Sequence, residues 1–174
     1  MMTVPTHEDE RLPTTGFEAL YQDNYHDVWR YASFLLRNTV EAEDVASEAF
    51  ARAFAAWSAG RGPRGDPRAW LLLITRRLVI NRARRARLIK WLPLLRVPER
   101  ADRGRGLEER EFRLFLDQLG TILTRKERDA LFLRYLGDLN DETAGAVLGV
   151  SASGFRSLIS RGLERLREHS EVWQ

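Results

Sequence analysis

The chain has 174 residues, 28 basic and 25 acidic, with three histidines, no cysteine and a net charge of +3. The missing cysteines exclude disulfide frameworks, thiolate metal sites and cysteine nucleophiles, and no apolar run approaches the roughly 18–20 residues a membrane-crossing helix needs. The small total hides a divided chain, since residues 1–60 sum to −6, residues 61–90 to +9 and residues 91–174 to zero.

Residues 1–15 carry two prolines and few apolar groups and read as a tail. They lack the basic start and apolar middle of a secretory signal, so a cytoplasmic protein is expected. From Phe17 the apolar positions Leu20, Tyr21, Tyr25, Val28, Tyr31, Ala32 and Leu35 recur at helical spacing and predict a first amphipathic helix. Ala42, Val45, Ala46, Ala49, Phe50, Ala53, Phe54 and Trp57 predict a second, Glu41–Ala59, whose other face carries Glu41, Asp44, Glu48 and Arg52. Ser58–Pro67 holds three glycines and two prolines and is a loop. Asp66 followed by Pro67 is an N-cap with a first-turn proline, opening a third helix through Trp70, Leu73, Ile74 and Leu78 to about Arg87.

Lys90–Gly106, with Pro93, Pro98, Gly104 and Gly106, reads as a linker. Phe112, Phe115, Leu116 and Leu119 mark a fourth helix. Thr124 and Glu127 have capping-box spacing and open a fifth, with Leu131, Phe132, Tyr135 and Leu136 as its apolar side and Gly137 as its stop. Asn140 or Asp141 caps a short helix ending at Gly149, and Ser151 caps a longer one to about Glu168 with Leu158, Ile159, Leu163 and Leu166 inside. Two helices joined by a tight glycine-containing turn, the second one basic, form the helix-turn-helix pattern. Nothing alternates like a strand, so the expected fold class is all-α.

Four patterns carry chemistry. Arg76, Arg77, Arg82, Arg84, Arg85 and Arg87 crowd one helix with no interleaved glutamate. Their repulsion is relieved by a polyanion, which they bind with counterion release; the plainer alternative is a solvated helix face. Trp57 and Trp70 flank the glycine loop, and a base stacked on an aromatic ring gains about 1–3 kcal/mol. Both rings fall on apolar stripes, however, which makes them core and leaves Arg61, Arg64 and Arg68 as the better loop contacts. The acidic face of Glu41, Glu43, Asp44 and Glu48 has no histidine nearby, since His7, His26 and His169 are scattered; beside a plain solvated surface, an acidic docking face for a basic partner fits better than acid–base catalysis or a metal. Ser153, Arg156, Ser157, Ser160 and Arg161 lie on the outward side of the last helix, where arginine pairs bidentately with guanine in the major groove.

Three blocks, Glu41–Phe50 (EAEDVASEAF), Arg68–Arg85 (RAWLLLITRRLVINRARR) and Leu123–Glu168, resemble in order and spacing the extracytoplasmic-function group of bacterial sigma factors, the shortest members of the sigma-70 superfamily. The resemblance implies two small helical domains joined by a flexible linker: a tail at 1–15, sigma region 2 at 16–89, the linker at 90–106 and a region 4 helix-turn-helix at 107–170. Region 2 would bind the clamp helices of the RNA polymerase largest subunit through Glu41, Asp44 and Glu48. It would melt and read the single-stranded −10 element through Arg61, Arg64, Arg68, Arg76, Arg77, Asn81, Arg84 and Arg85. Region 4 would dock on the polymerase flap and read double-stranded −35 DNA through Ser153, Arg156, Ser157, Ser160 and Arg161. The implied protein is a non-enzymatic initiation subunit of the bacterial cytoplasm, without cofactor or metal. Many such factors are held by an anti-sigma factor, and nothing in this sequence identifies one. The competing reading is a helix-turn-helix transcriptional regulator without melting activity, which would bind duplex DNA stably by itself. Two departures from the family pattern bear on region 4. Gly145 should weaken the first helix of the helix-turn-helix by roughly 1 kcal/mol. Gly154 and Leu158 alter the opening of the recognition helix, Leu158 replacing a basic residue, which predicts an unusual −35 preference.

Overall fold

In the computed structural model, which describes residues 14–90 and 118–171, every regular element is an α-helix. The helices are α1 (Thr14–Leu36), α2 (Thr39–Ser58), α3 (Pro67–Lys90), α4 (Arg125–Tyr135), α5 (Asp141–Leu148) and α6 (Ala152–Glu171), with a helical segment at 118–122 leading into α4. The expected linker, the upstream part of the fourth helix with Phe112, Phe115 and Leu116, and most of the expected tail lie outside the described residues.

Polar side chains that satisfy exposed helix-end amides set the boundaries. Asn38 accepts from the amides of Val40 and Glu41, both at 3.1 Å, and starts α2 two residues before the expected position. Asp66 accepts from the Arg68 amide at 2.8 Å, with Pro67 in the first turn of α3. Both halves of the capping box are made in α4: the Thr124 amide donates to Glu127 at 2.9 Å and the Glu127 amide to the Thr124 hydroxyl at 3.3 Å. Between the two candidate caps of α5, Asn140 is the one used, accepting from the Thr143 amide at 2.9 Å. Gly149, at φ 72°, turns the chain out of α5 in a left-handed conformation that glycine adopts freely. Ser151 then accepts from the Gly154 amide at 3.1 Å to open α6.

α2 presents Ala42, Ala46, Ala49 and Ala53, none with any exposed surface. These small side chains let α1 and α3 close on it, and Val28, Tyr31 and Ala32 from α1 meet Leu71, Leu72 and Val79 from α3. In the second group Ala130, Leu133, Ala144, Val147, Phe155 and Leu158 are buried among α4, α5 and α6. The two groups share one continuous core. Phe132 of α4 lies 4.9 Å from both Tyr31 and Phe34 of α1, centroid to centroid, and α5 packs on α3.

The structure corrects two expectations. The inner face of α4 is Ala130, Phe132 and Leu133 together with the carboxylates of Glu127 and Asp129, while Tyr135 is 61% exposed and Leu131 and Leu136 are half-buried. α4 is covered by α6 on one side and by α1 and α3 on another, so its buried surface is turned away from a single stripe. Gly145 is also more than a weak helix former. A Cβ there would stand 2.9 Å from the Val150 carbonyl oxygen, and the Val150 amide donates to the Gly145 carbonyl at 2.9 Å. The helix-turn-helix folds back onto that Cα, so the glycine is what lets the turn close.

Candidate nucleic-acid interface

The arginines of α3 go to separate destinations. Arg68 pairs with Asp27 of α1 at 2.8 Å and donates to the Gly137 carbonyl beyond α4 at 3.3 Å. Arg76 pairs with Asp129 of α4 at 2.9 Å. Arg82 pairs with Glu48 of α2 at 2.8 Å. Arg77, Asn81, Arg84 and Arg85 are exposed, and their spacing places them along one side of the helix. Of the eight residues expected at the −10 surface, these four and the loop residues Arg61 and Arg64 face solvent, whereas Arg68 and Arg76 are half-buried against the second group of helices.

The loop between α2 and α3 rests on Trp57. A Cβ at Gly62 would lie 3.2 Å from the indole, one at Gly16 would lie 3.3 Å from it, and the Phe17 ring meets it edge-on at 6.0 Å. Trp57 and Trp70 are both half-buried against the core, so the core reading of these rings holds and the loop offers its arginines.

On α2, Glu41 and Asp44 are exposed and Glu48 is half-buried. Glu48 is bridged by Arg82 at 2.8 Å and Arg52 at 2.6 Å. The hydrogen bond from Arg82, outweighing the opposing effect of burial and reinforced by Arg52, holds its carboxyl below the ordinary glutamate range.

Ser153, Arg156, Ser157, Ser160 and Arg161 are all exposed along one side of α6, while Phe155 and Leu158 on the opposite side are buried. Leu158, standing where the resemblance puts a basic residue, therefore belongs to the core. Arg156 pairs with Asp141 at the start of α5 at 3.2 Å, and the other oxygen of Asp141 pairs with Arg134 of α4 at 3.1 Å. The Arg161 Nε donates to the Ser157 carbonyl at 3.2 Å.

Three residues in this arrangement escaped the sequence reading: Asp141, Asp129 and Tyr31. The Asp129 side chain is only 4% exposed and receives hydrogen bonds from the Tyr31 hydroxyl and the Arg76 guanidinium. Burial pushes its carboxyl upward, and the two donors oppose this without cancelling it. The Tyr31 phenol is driven well above its usual value by burial and then by the adjacent Asp129, so it stays a protonated donor. Asp129 lies on the same side of α4 as Arg125 and Phe132, and its register with a core aromatic is the one sequence signal that could have singled it out.

Comparison with known proteins now decides the family. The family models for Sigma-70 region 2 and Sigma-70 region 4 match residues 20–89 and 121–168. The chain is 32% identical over 166 residues to the ECF RNA polymerase sigma factor SigC of Mycobacterium tuberculosis, covering 90% of this chain and 84% of that one. The chain belongs to the extracytoplasmic-function sigma factors. It is also 30% identical over 155 residues to the RNA polymerase sigma-E factor of Streptomyces coelicolor, covering 87% of this chain and 84% of that protein. Over 164 residues it is 29% identical to the ferric citrate uptake sigma factor FecI of Escherichia coli, covering 89% of this chain and 92% of that one. The fold matches the sigma factor RpoE, solved in complex with the anti-sigma factor NepR from Bartonella quintana, with a TM-score of 0.71 at 21% identity over 91% of this chain and 99% of that chain. This alternative sigma factor directs transcription initiation, and its family is not one of catalytic enzymes. Among the described residues no helix is long and apolar enough to cross a membrane, and no cluster of side chains could hold a metal ion.

Proposed function

We propose that the outward side of α3, with Arg77, Asn81, Arg84 and Arg85, and the loop residues Arg61 and Arg64 form the −10 surface of region 2. The single observation that carries this reading is the sorting of α3: Arg68, Arg76 and Arg82 have acidic partners within the protein, while Arg77, Arg84 and Arg85 stand in solvent with no acid interleaved. Such a face favours a polyanion and gains by counterion release. Arg68 and Arg76 join the surface only when the second group of helices moves away. Glu41, Asp44 and Glu48 on α2 form the contact with the polymerase clamp helices, and region 4 docks on the flap. Ser153, Arg156, Ser157, Ser160 and Arg161 of α6 enter the major groove at −35. The work is done in the bacterial cytoplasm, with an anti-sigma factor as a regulatory partner class.

The test is open-complex formation by holoenzyme. Arg84→Glu combined with Arg85→Glu should abolish permanganate reactivity of promoter thymines while leaving co-purification with core polymerase intact. A wild-type footprint from the double variant overturns the assignment.

A further inference from the structure

Asn140 is the cap of α5, which leaves Asp141, the first residue of that helix, free of capping. Its carboxylate serves two arginines instead. One oxygen meets Arg134 of α4 at 3.1 Å and the other meets Arg156 of α6 at 3.2 Å, so a single acid joins α4, α5 and α6. Arg134 also donates to the Leu139 carbonyl at 3.5 Å, in the turn that leads into α5. The Asp141 side chain is 22% exposed and that of Arg156 61%, so the brace is more shielded than the arginine it holds.

Stability does not account for this arrangement, because an ion pair with so exposed a cation adds little to folding. Orientation does. A guanidinium carries five donors in a rigid fork. Asp141 engages Arg156 through Nη1, and the edge formed by Nε and Nη2 still has two parallel donors, the pair with which arginine meets guanine O6 and N7. Without the acid, this long side chain has to be ordered at the moment of binding. It is also released to pair with backbone phosphates, which carry no sequence information. The serines on this side of α6 are short, which leaves Arg156 and Arg161 as its long side chains. Arg161 is held by its own helix through the Ser157 carbonyl, whereas Arg156 is held from another helix.

We propose that Asp141 is a specificity-positioning residue of region 4: braced by Arg134, it fixes the Arg156 guanidinium for one base pair of the −35 element and withholds it from backbone phosphates. The inference rests on the −35 assignment of α6 above. A negative charge on a face that meets DNA lowers affinity for every sequence, so what it contributes is the difference between sequences. Removing Asp141 therefore moves two quantities apart: discrimination at one base pair falls, while binding to unrelated sequences holds or rises. A helix-turn-helix that had merely been loosened would lose both.

The experiment uses holoenzyme reconstituted from core polymerase and the full chain. It selects from promoter DNA randomised across the −35 element, and affinity for a promoter fragment with a scrambled −35 element is measured alongside. Asp141→Asn should reduce the preference at the base pair that Arg156→Ala flattens by about three- to tenfold, the cost of ordering one side chain on binding, with affinity for the scrambled fragment not reduced. Asp141→Glu, which keeps the charge, should retain more of that preference. Asp141→Asn combined with Arg156→Ala should lose no more than Arg156→Ala alone, as expected when one residue acts through the other. Arg134→Ala should lower the same preference by a smaller factor, and it decides the matter if circular dichroism shows that Asp141→Asn has not folded. A preference that Asp141→Asn leaves intact overturns the positioning role, and so does a loss spread over several base pairs with weaker binding to the scrambled fragment. If Arg156→Ala leaves every −35 preference unchanged, the −35 assignment of Arg156 itself fails, whereas a loss in Arg156→Ala that Asp141→Asn does not share overturns the positioning role alone.

Discussion

The two helices assigned to DNA, α3 and α6, have nearly equal length and opposite design. On α6 every polar residue nominated for the −35 groove lies on one exposed side, with Phe155 and Leu158 anchoring the other. α3 divides its cations among α1, α2, region 4 and solvent. Duplex reading needs a rigid rod presented ready-made, and α6 is one. α3 instead carries a charge density that acids of α1, α2 and α4 partly neutralise.

Four changes would break or sharpen this contrast. The largest effect is expected from charge reversal at Arg84 and Arg85, which should eliminate open complexes altogether, with duplex −35 binding by region 4 unaffected in a footprint. Next, Arg156→Ala should cost about 1–3 kcal/mol of discrimination at one −35 base pair without touching −10 melting. A promoter-library transcription assay reads this, and unchanged −35 selectivity removes Arg156 from the reading set. Gly145→Ala should lower stability by about 1–2 kcal/mol in urea unfolding, the Cβ overlap with Val150 outweighing the better helix propensity. No loss there would mean that the turn relaxes without cost.

The smallest effect concerns the strap between α2 and α3. The carboxyl of Glu48 is held below the ordinary value of 4.5, so its contribution is fully present above that pH and is lost as pH falls through the lowered folded value. A half-exposed pair of this kind is worth under about 1 kcal/mol. Glu48→Gln should therefore lower the melting temperature slightly at pH 7, with a deficit that shrinks as the solution is acidified below 4.5, as a series of thermal melts across that range would show. A deficit that persists in acid would assign Glu48 a packing role instead.

Local chemistry made much of this fold legible. Asp66 with Pro67, the Thr124 and Glu127 box, Asn140 and Ser151 each act within a few residues of themselves, and each was visible as spacing. The same holds for the outward face of α6, where a period of 3.6 sorts side chains without help from other helices. The division of α3 was not visible, because it depends on Tyr31 and Asp129, 98 residues apart in the chain. Asp129 reads in sequence as one more surface acid between Arg128 and Ala130, and only the docking of α4 on α1 buries it. The glycine at 145 misled for a related reason: helix propensity is local, and the carbonyl of Val150 that excludes a side chain arrives through the turn.

The loop before α3 stands on the face of Trp57, with Gly62 set directly over the indole. Its height above the helical body is therefore the thickness of one aromatic ring. Arg61 and Arg64 are carried at that height, so how far the two guanidiniums reach from the helical body is set by a half-buried ring rather than by the loop itself.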